Sequence, residues 1–206
     1  AHRSDFALDE GATLYVCPQS LFKFHPDFDE LIAAILRNHN EGQLILLEGQ
    51  YQHWTELLMQ RFREAMPDVA HRIRFLPRQT YPDFLRLLSV ADVMLDPLHW
   101  SGGNTTLEAL AVGLPVVTLP SKFMRGRVTY ACYKQMGVMD CVATTKEEYV
   151  KLAVRLGTDP SYRAKIKAKI LAANNVLYEN VEAVRDMERF FVEAIEAAQH
   201  AAKKQA

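Results

Sequence analysis

The chain has 206 residues, 24 Lys and Arg against 25 Asp and Glu, a net charge of −1 and a hydrophobic fraction of 49%. This is enough for one large domain or two small ones with a full core, and a near-neutral balance spread along the chain excludes a general nucleic-acid surface. No apolar run approaches the roughly 20 residues of a bilayer span, no secretory signal opens the polar Ala1–Glu10, and Cys17, Cys132 and Cys141 are too widely spaced for a disulfide framework or a CxxC metal site.

These features fit buried free thiols in a reducing, cytoplasmic setting, with no membrane partner. The chain begins with Ala1 rather than Met, and residues 1–206 are expected to be a single domain cut from a longer protein.

After an extended lead-in, Thr13–Cys17 is β-branched and apolar, and is predicted as the first strand. Pro18-Gln19-Ser20 breaks it. A helix follows from Pro26 or Asp27 to Asn38, with Phe28, Leu31, Ile32 and Ile35 on one side. Gln43–Leu47 is the kind of apolar strand that a parallel sheet buries on both faces. Trp54–Ala65 is an amphipathic helix, Arg72–Leu76 a third strand, Pro82–Leu88 a short helix and Ala91–Leu95 a fourth strand. The loop His99–Gly103 carries two adjacent glycines, and Asn104-Thr105-Thr106 opens a helix that Gly113 stops. Pro115–Leu119 is a fifth strand, Gly126–Met136 a helix and Cys141–Ala143 a short strand-like run. Thr145 caps a helix to Leu156 in a T-x-x-E pattern with Glu148, and Asp159-Pro160 starts another to Ala173. The helical tail Val181–Ala201 carries Met187, Phe190, Phe191 and Ile195 on one side, and is expected to pack back on the sheet or on another domain. Alternating strands and helices predict a doubly wound, parallel, Rossmann-like α/β sheet.

Ligands of such sheets bind beyond the carboxyl ends of the strands, where the strand order switches. Three loops end there: Pro18–Lys23, Pro77–Pro82 and Asp96–Asn104. The last is the most suggestive. A helix that starts directly after Gly102 and Gly103 offers free N–H groups and the positive end of its dipole to a phosphate. Glu108, one turn on, is suited to accept from two ribose hydroxyls. The same residues also read as an ordinary cap, with Asn104 or Thr105 at the N-cap and Glu108 solvated. Lys23 either reaches a diphosphate or lies solvated with its stem over Phe22 and Phe24. Gln19 and Ser20 either donate to phosphate oxygens or form the turn. Arg78 and Gln79 can read a base edge through their backbone. Tyr81 or Phe84 can stack on its face, although helical spacing favours core packing for Phe84. His99 has no carboxylate partner visible in the sequence, Arg125 and Arg127 default to the surface, and the remaining histidines lack ligand spacing, so no metal site is expected. GxGxxG, GxxxxGK[ST] and GxSxG are all missing.

Three stretches in order, YVCPQSLFKFHP, ADVMLDPLHWSGGNTTLEALAVGLPVVTLP and VKLAVRLGTDPSYR, resemble the carboxyl-terminal half of the catalytic region of the SPINDLY / O-linked N-acetylglucosamine transferase family. The TTLEALAxGxPVV core alone is shared more widely among glycosyltransferases with two Rossmann-like domains, the GT-B architecture. The resemblance implies transfer of a sugar from a nucleotide diphosphate, most often N-acetylglucosamine from UDP, to Ser or Thr of proteins. Lys23 falls on the family's diphosphate lysine, and the neighbouring glutamine falls near Gln19 or Ser20, the register by Lys23 putting Ser20 there as a departure. Asn104-Thr105-Thr106 falls on a His-Thr-Thr clamp, Glu108 lies near the ribose-binding acid with a one-residue slip, and Arg78–Phe84 is the base loop. Asn104 for histidine, and Tyr81 and Phe84 for the animal enzyme's lysine and histidine, are departures. The resemblance further implies a metal-independent reaction with no cofactor, and a protein acceptor held by an amino-terminal half and by TPR repeats. A carbohydrate or lipid acceptor and a degenerate, non-catalytic interaction domain are the competing expectations.

Overall fold

The computed structural model describes residues 1–205, with side chains placed through Ala201. Five strands, β1 (Thr13–Val16), β2 (Gly42–Leu47), β3 (Ile73–Leu76), β4 (Val93–Leu95) and β5 (Val116–Val117), form one parallel sheet in the order β3-β2-β1-β4-β5. The registers place Tyr15 between Leu44 and Val93, and Met94 opposite Val116. The chain therefore moves outward from β1 to β3, returns to the other side of β1 for β4, and continues to β5. Right-handed crossovers then put α1 (Pro26–Asn38) and α2 (Gln52–Ala65) on one face, and α3 (Tyr81–Val90) and α4 (Asn104–Ala111) on the other. α5 (Val128–Met136), α6 (Lys146–Thr158) and α7 (Pro160–Ala173) complete the layers, α6 lying against α1 and α7 against α4.

The core follows from the pattern. Leu14, Tyr15, Val16, Leu44, Ile45, Leu46, Val93 and Met94 are almost wholly buried, as strands covered on both faces must be. Phe28 of α1 meets Tyr149 of α6 edge to face at 6.3 Å, and both rings are fully buried. All three cysteines are free and buried, and burial raises their thiol pKa values, that of Cys141 to about 12. Gly113 ends α4 at φ +74°. The bonds Gly113 N to Leu110 O and Leu114 N to Ala109 O form the paired closure that a left-handed residue allows.

Several boundaries differ from the sequence reading. α2 starts at Gln52 and α3 at Tyr81, two residues and one residue earlier than expected, and Thr80 caps α3. A 3-10 turn at Met124–Gly126 precedes α5, so the helix begins only at Val128. β5 is two residues long, and Cys141–Ala143 contributes only a parallel bridge from Val142 to Thr118. The tail helix α8 (Val181–Gln205) does not pack on the sheet: every residue from Val181 to Ala201 is exposed, Phe190 and Phe191 included. No helix among the described residues is long and apolar enough to cross a membrane.

Candidate functional site

The strand order reverses between β1 and β4, so the loops leaving their carboxyl ends diverge and open a crevice. The loop after β1 runs through Gln19 into a short 3-10 turn at Leu21–Lys23 and on to α1. The loop after β4 runs from Asp96 to Gly103, the N-cap residue of α4. Lys23 joins them. Its Nζ donates to Gln19 Oε1 at 2.8 Å and to the Ser101 carbonyl at 3.1 Å, while Gln19 Nε2 donates to Thr105 Oγ1 at 2.6 Å. The chain Ser101–Lys23–Gln19–Thr105 thus latches the two loops beneath the start of α4. Burial lowers the Lys23 pKa, with Asp96 and Cys17 opposing that shift. The ammonium is held at the crevice with less compensation than water would give it.

Asp96 shapes the glycine loop. It is fully buried, accepting from Gly102 N (2.7 Å), Ser101 Oγ (2.8 Å) and Thr118 Oγ1 (2.7 Å), while its backbone carbonyl accepts from Tyr149 OH (3.0 Å). Burial raises its pKa, and these donors pull it back. Gly102 is required by crowding: a Cβ there would meet Thr106 Oγ1, Gln19 Nε2 and Thr105 Oγ1 at 2.4 to 3.0 Å. Gly103 has open space around it.

The helix start itself carries no side-chain cap, unlike α1, α3, α6 and α7, which His25, Thr80, Thr145 and Asp159 cap. The ordinary-cap reading of Asn104 and Thr105 therefore does not hold: Gly103 takes the N-cap position, and Asn104 and Thr105 are the first helical residues. Asn104 is exposed and Thr105 half-buried. Thr106 is wholly buried with its hydroxyl on Thr129 at 2.9 Å, so its side chain builds the wall rather than facing a ligand. Glu108 is half-buried on α4, and burial raises its pKa. Among the described residues no side chain pairs with it.

The structure separates other candidates. Gln19 is buried in the latch and Ser20 is exposed, which favours Gln19 for the glutamine position. The loop after β3 leaves the edge of the sheet, two strands, or about 10 Å, from β1. Among the described residues hydrogen bonds latch only two of the three loops, and the third would share an extended ligand. In that third loop Arg78 and Tyr81 are exposed, Gln79 folds onto the Pro77 carbonyl at 2.6 Å, and Phe84 packs against the core. Arg125 lies over Phe123, and Arg127 over Tyr130.

Sequence reasoning missed Asp96, Ser101, Thr118 and Thr129, the buried polar knot that sets the loop. The only available signal was Asp96-Pro97 at the end of an apolar strand. It also left His99 without a carboxylate, whereas His99 Nε2 lies 2.8 Å from Asp27 Oδ2. The amino edge of the sheet contrasts with this crevice. There Asp92 is consumed by Arg3 at 2.7 Å and Arg163 at 3.1 Å.

Comparison with known proteins agrees with this fold. An O-GlcNAc transferase from Thermobaculum terrenum, solved as a mutant, superposes with a TM-score of 0.81 at 29% identity, over 94% of this chain and 38% of that one. A Caenorhabditis elegans UDP-N-acetylglucosamine–peptide N-acetylglucosaminyltransferase is 30% identical over 90% of this chain and 16% of its own length. A probable enzyme of the same description, SPINDLY, from Solanum lycopersicum is 26% identical over 90% of this chain and 20% of its own. The chain therefore spans about a fifth or less of these two curated relatives. The model of glycosyl transferase family 41 matches residues 1–185, and the chain belongs to that family.

Proposed function

We propose that this chain is the nucleotide-sugar-binding half of a protein O-glycosyltransferase that moves N-acetylglucosamine from UDP to Ser or Thr. The latch carries the reading. Lys23, a half-buried cation, is fixed against the uncapped start of α4 at the switch point of a doubly wound sheet. An anion is the ligand that such a place favours.

In the transfer, the bond between the sugar's anomeric carbon and the diphosphate oxygen breaks as the acceptor hydroxyl oxygen bonds to that carbon, and the hydroxyl proton passes to the departing diphosphate or to water. Negative charge grows on the departing diphosphate. Lys23 and the N–H groups at the start of α4 are already in position to stabilise it, so little reorganisation is needed during reaction. Gln19 and Thr105 orient the lysine, and Glu108 is placed to accept from the ribose hydroxyls. Arg78, Gln79 and Tyr81, at the sheet edge, are the groups left to meet a base, while Phe84 supports them from the core. The reaction on this reading needs no metal and no cofactor. The protein acceptor is held by an amino-terminal half and by TPR repeats, in the cytoplasm, with neither membrane nor nucleic acid as partner. The share of the relatives' length that this chain spans supports that division of labour.

The test is calorimetric titration with UDP, GDP and ADP, without and with magnesium, on this chain and on the full-length protein. Saturable binding of UDP, indifferent to magnesium, is expected. Failure of all three diphosphates to bind the full-length protein, or strict dependence on magnesium, would refute the reading.

A further inference from the structure

We propose that His25, Asp27 and His99 form a site for a first-row transition-metal ion, with zinc the best match, which ties the loop after β1 to the loop after β4. Asp27 Oδ2 lies 2.8 Å from His99 Nε2 and 3.5 Å from His25 Nδ1. One ligand atom from each residue falls within a sphere where all lie within 4.8 Å of one another. A tetrahedral ion with ligands at 2.0–2.2 Å spaces them by about 3.3 Å, so the two measured separations bracket what zinc requires. The imidazole rings meet at 84° with centroids 4.8 Å apart, edge to face rather than stacked. Two imidazoles and one carboxylate suit zinc, nickel or copper, and suit magnesium or calcium poorly. All three side chains are roughly half exposed, so an ion reaches them without any opening of the fold and keeps a fourth position for water.

Helix capping explains part of this cluster. His25 Nδ1 accepts from Asp27 N at 3.2 Å, a long bond that an ion ligated through that nitrogen replaces, and a carboxylate in the first turn of α1 is favourable in itself. Capping does not explain His99, which comes from 72 residues away along a backbone at φ +69° to reach the same carboxylate. Lys146 is the other charge acting on Asp27, and its ammonium is already engaged by Glu30 at 2.8 Å, which limits its repulsion of a cation.

The position gives the ion a consequence. His25 is two residues beyond Lys23, and His99 is two residues before Ser101, whose carbonyl accepts from Lys23. An ion held by both loops therefore stiffens the latch. This consequence rests on the nucleoside-diphosphate reading of the latch; the ion site does not.

Untagged, metal-free protein is titrated with zinc chloride, and in parallel with cobalt, whose visible absorption reports tetrahedral ligation. One ion per chain is expected. His99→Asn, which keeps a residue tolerant of left-handed backbone, and Asp27→Asn should each weaken zinc binding at least about tenfold, the loss that follows even from disturbing groups outside a metal's ligand set. Their circular dichroism should match the parent's, with the melting temperature lowered by at most a few degrees through the lost first-turn carboxylate or its exposed pairing. Zinc affinity unchanged in both variants, or no saturable binding by the parent, would overturn the site and leave a helix cap. UDP titrated with and without zinc then tests the coupling: tighter UDP binding with zinc in the parent and not in His99→Asn supports it, and equal UDP affinity at both zinc levels refutes it. Zinc binding that is lost in the variants, together with no UDP binding under any condition, would uphold the ion site and sink the donor-domain reading.

Discussion

Replacing Lys23 by Met keeps the stem and removes the charge, and the structure says that the two consequences should differ sharply in size. On the stability side, the change deletes two hydrogen bonds, to Gln19 Oε1 and the Ser101 carbonyl, and leaves those acceptors short of a donor at about 1–3 kcal/mol each if both were fully buried. Against this stands the desolvation of the ammonium, the largest influence on Lys23 and the one that lowers its pKa. The sign is explicit: with the folded pKa below the unfolded one, the folded protein binds this proton less tightly than the unfolded chain. The charged lysine therefore costs stability at neutral pH, and that cost fades as pH rises from the folded value toward 10.5. Removing the charge removes the cost. The opposing effects should leave a net change within about 1 kcal/mol, a shift of roughly 2–4 °C in Tm for a chain of this size. On the binding side nothing offsets the loss. A charge-assisted bond to a diphosphate oxygen is worth about 1.5–3 kcal/mol, or roughly tenfold to a hundredfold in Kd. Scanning fluorimetry and UDP titration on the same preparations decide it. A large drop in Tm with UDP affinity within about threefold of the parent would show that Lys23 is a structural tie, and would refute the assignment.

Glu108→Gln should weaken UDP more than dUDP and so erase any preference for the ribose hydroxyls, with no change in Tm; a preserved preference, measured by paired titrations, would remove Glu108 from the site. Gly113→Ala should cost about 2–4 kcal/mol in urea unfolding, because its φ is +74° and a Cβ would meet Leu171 at 2.8 Å; a loss under about 0.5 kcal/mol would contradict the closure seen at the end of α4. Asp96→Ala should cost more than about 3 kcal/mol, since it strands three donors in a buried site. Asp96 also has a pH signature. Its folded pKa lies above 3.8, so its contribution is fullest below that value and declines as pH rises toward the folded one; Asp96→Asn should flatten that decline in urea midpoints taken from about pH 4 to 6.

Period and punctuation made the fold legible. Apolar runs such as Leu44–Leu47 announce a parallel strand, and Gly113 after Leu110-Ala111 announces a helix stop, because each is dictated by local physics. The five strands and the alternation of helices follow from that, and the resemblance to the SPINDLY / O-linked N-acetylglucosamine transferase family agrees with the match to glycosyl transferase family 41 over residues 1–185. Lys23, Gln19 and Thr105 were legible as polar residues at the right strand ends, although their mutual bonds were not. What the sequence hides is whatever depends on two distant segments meeting. Thr106 looks like its neighbour Thr105, yet a turn of the helix puts one hydroxyl on Gln19 and the other on Thr129. His99 reads as lacking a carboxylate because Asp27 is 72 residues away. The tail helix has a clear apolar side, but periodicity only says that a partner would fit there, and within this chain the side stays exposed.

Asp96 explains why the crevice can hold a cation without neutralising it. A carboxylate placed beside Lys23 at the surface would form an ordinary ion pair and compete with any incoming phosphate. Here the carboxylate is buried below the loop, and both its oxygens are taken by Gly102, Ser101 and Thr118. It acts on Lys23 through space, opposing the fall in its pKa, while the atoms that touch the ammonium are the neutral oxygens of Gln19 and Ser101. Such oxygens orient a charge and leave its field directed outward. The buried carboxyl thus serves the loop's geometry and opposes the fall in the lysine's pKa, and the positive potential is left for the ligand. The amino edge of the same sheet makes the contrast: there Asp92 contacts Arg3 and Arg163 directly, their charges cancel, and the result is a structural tie.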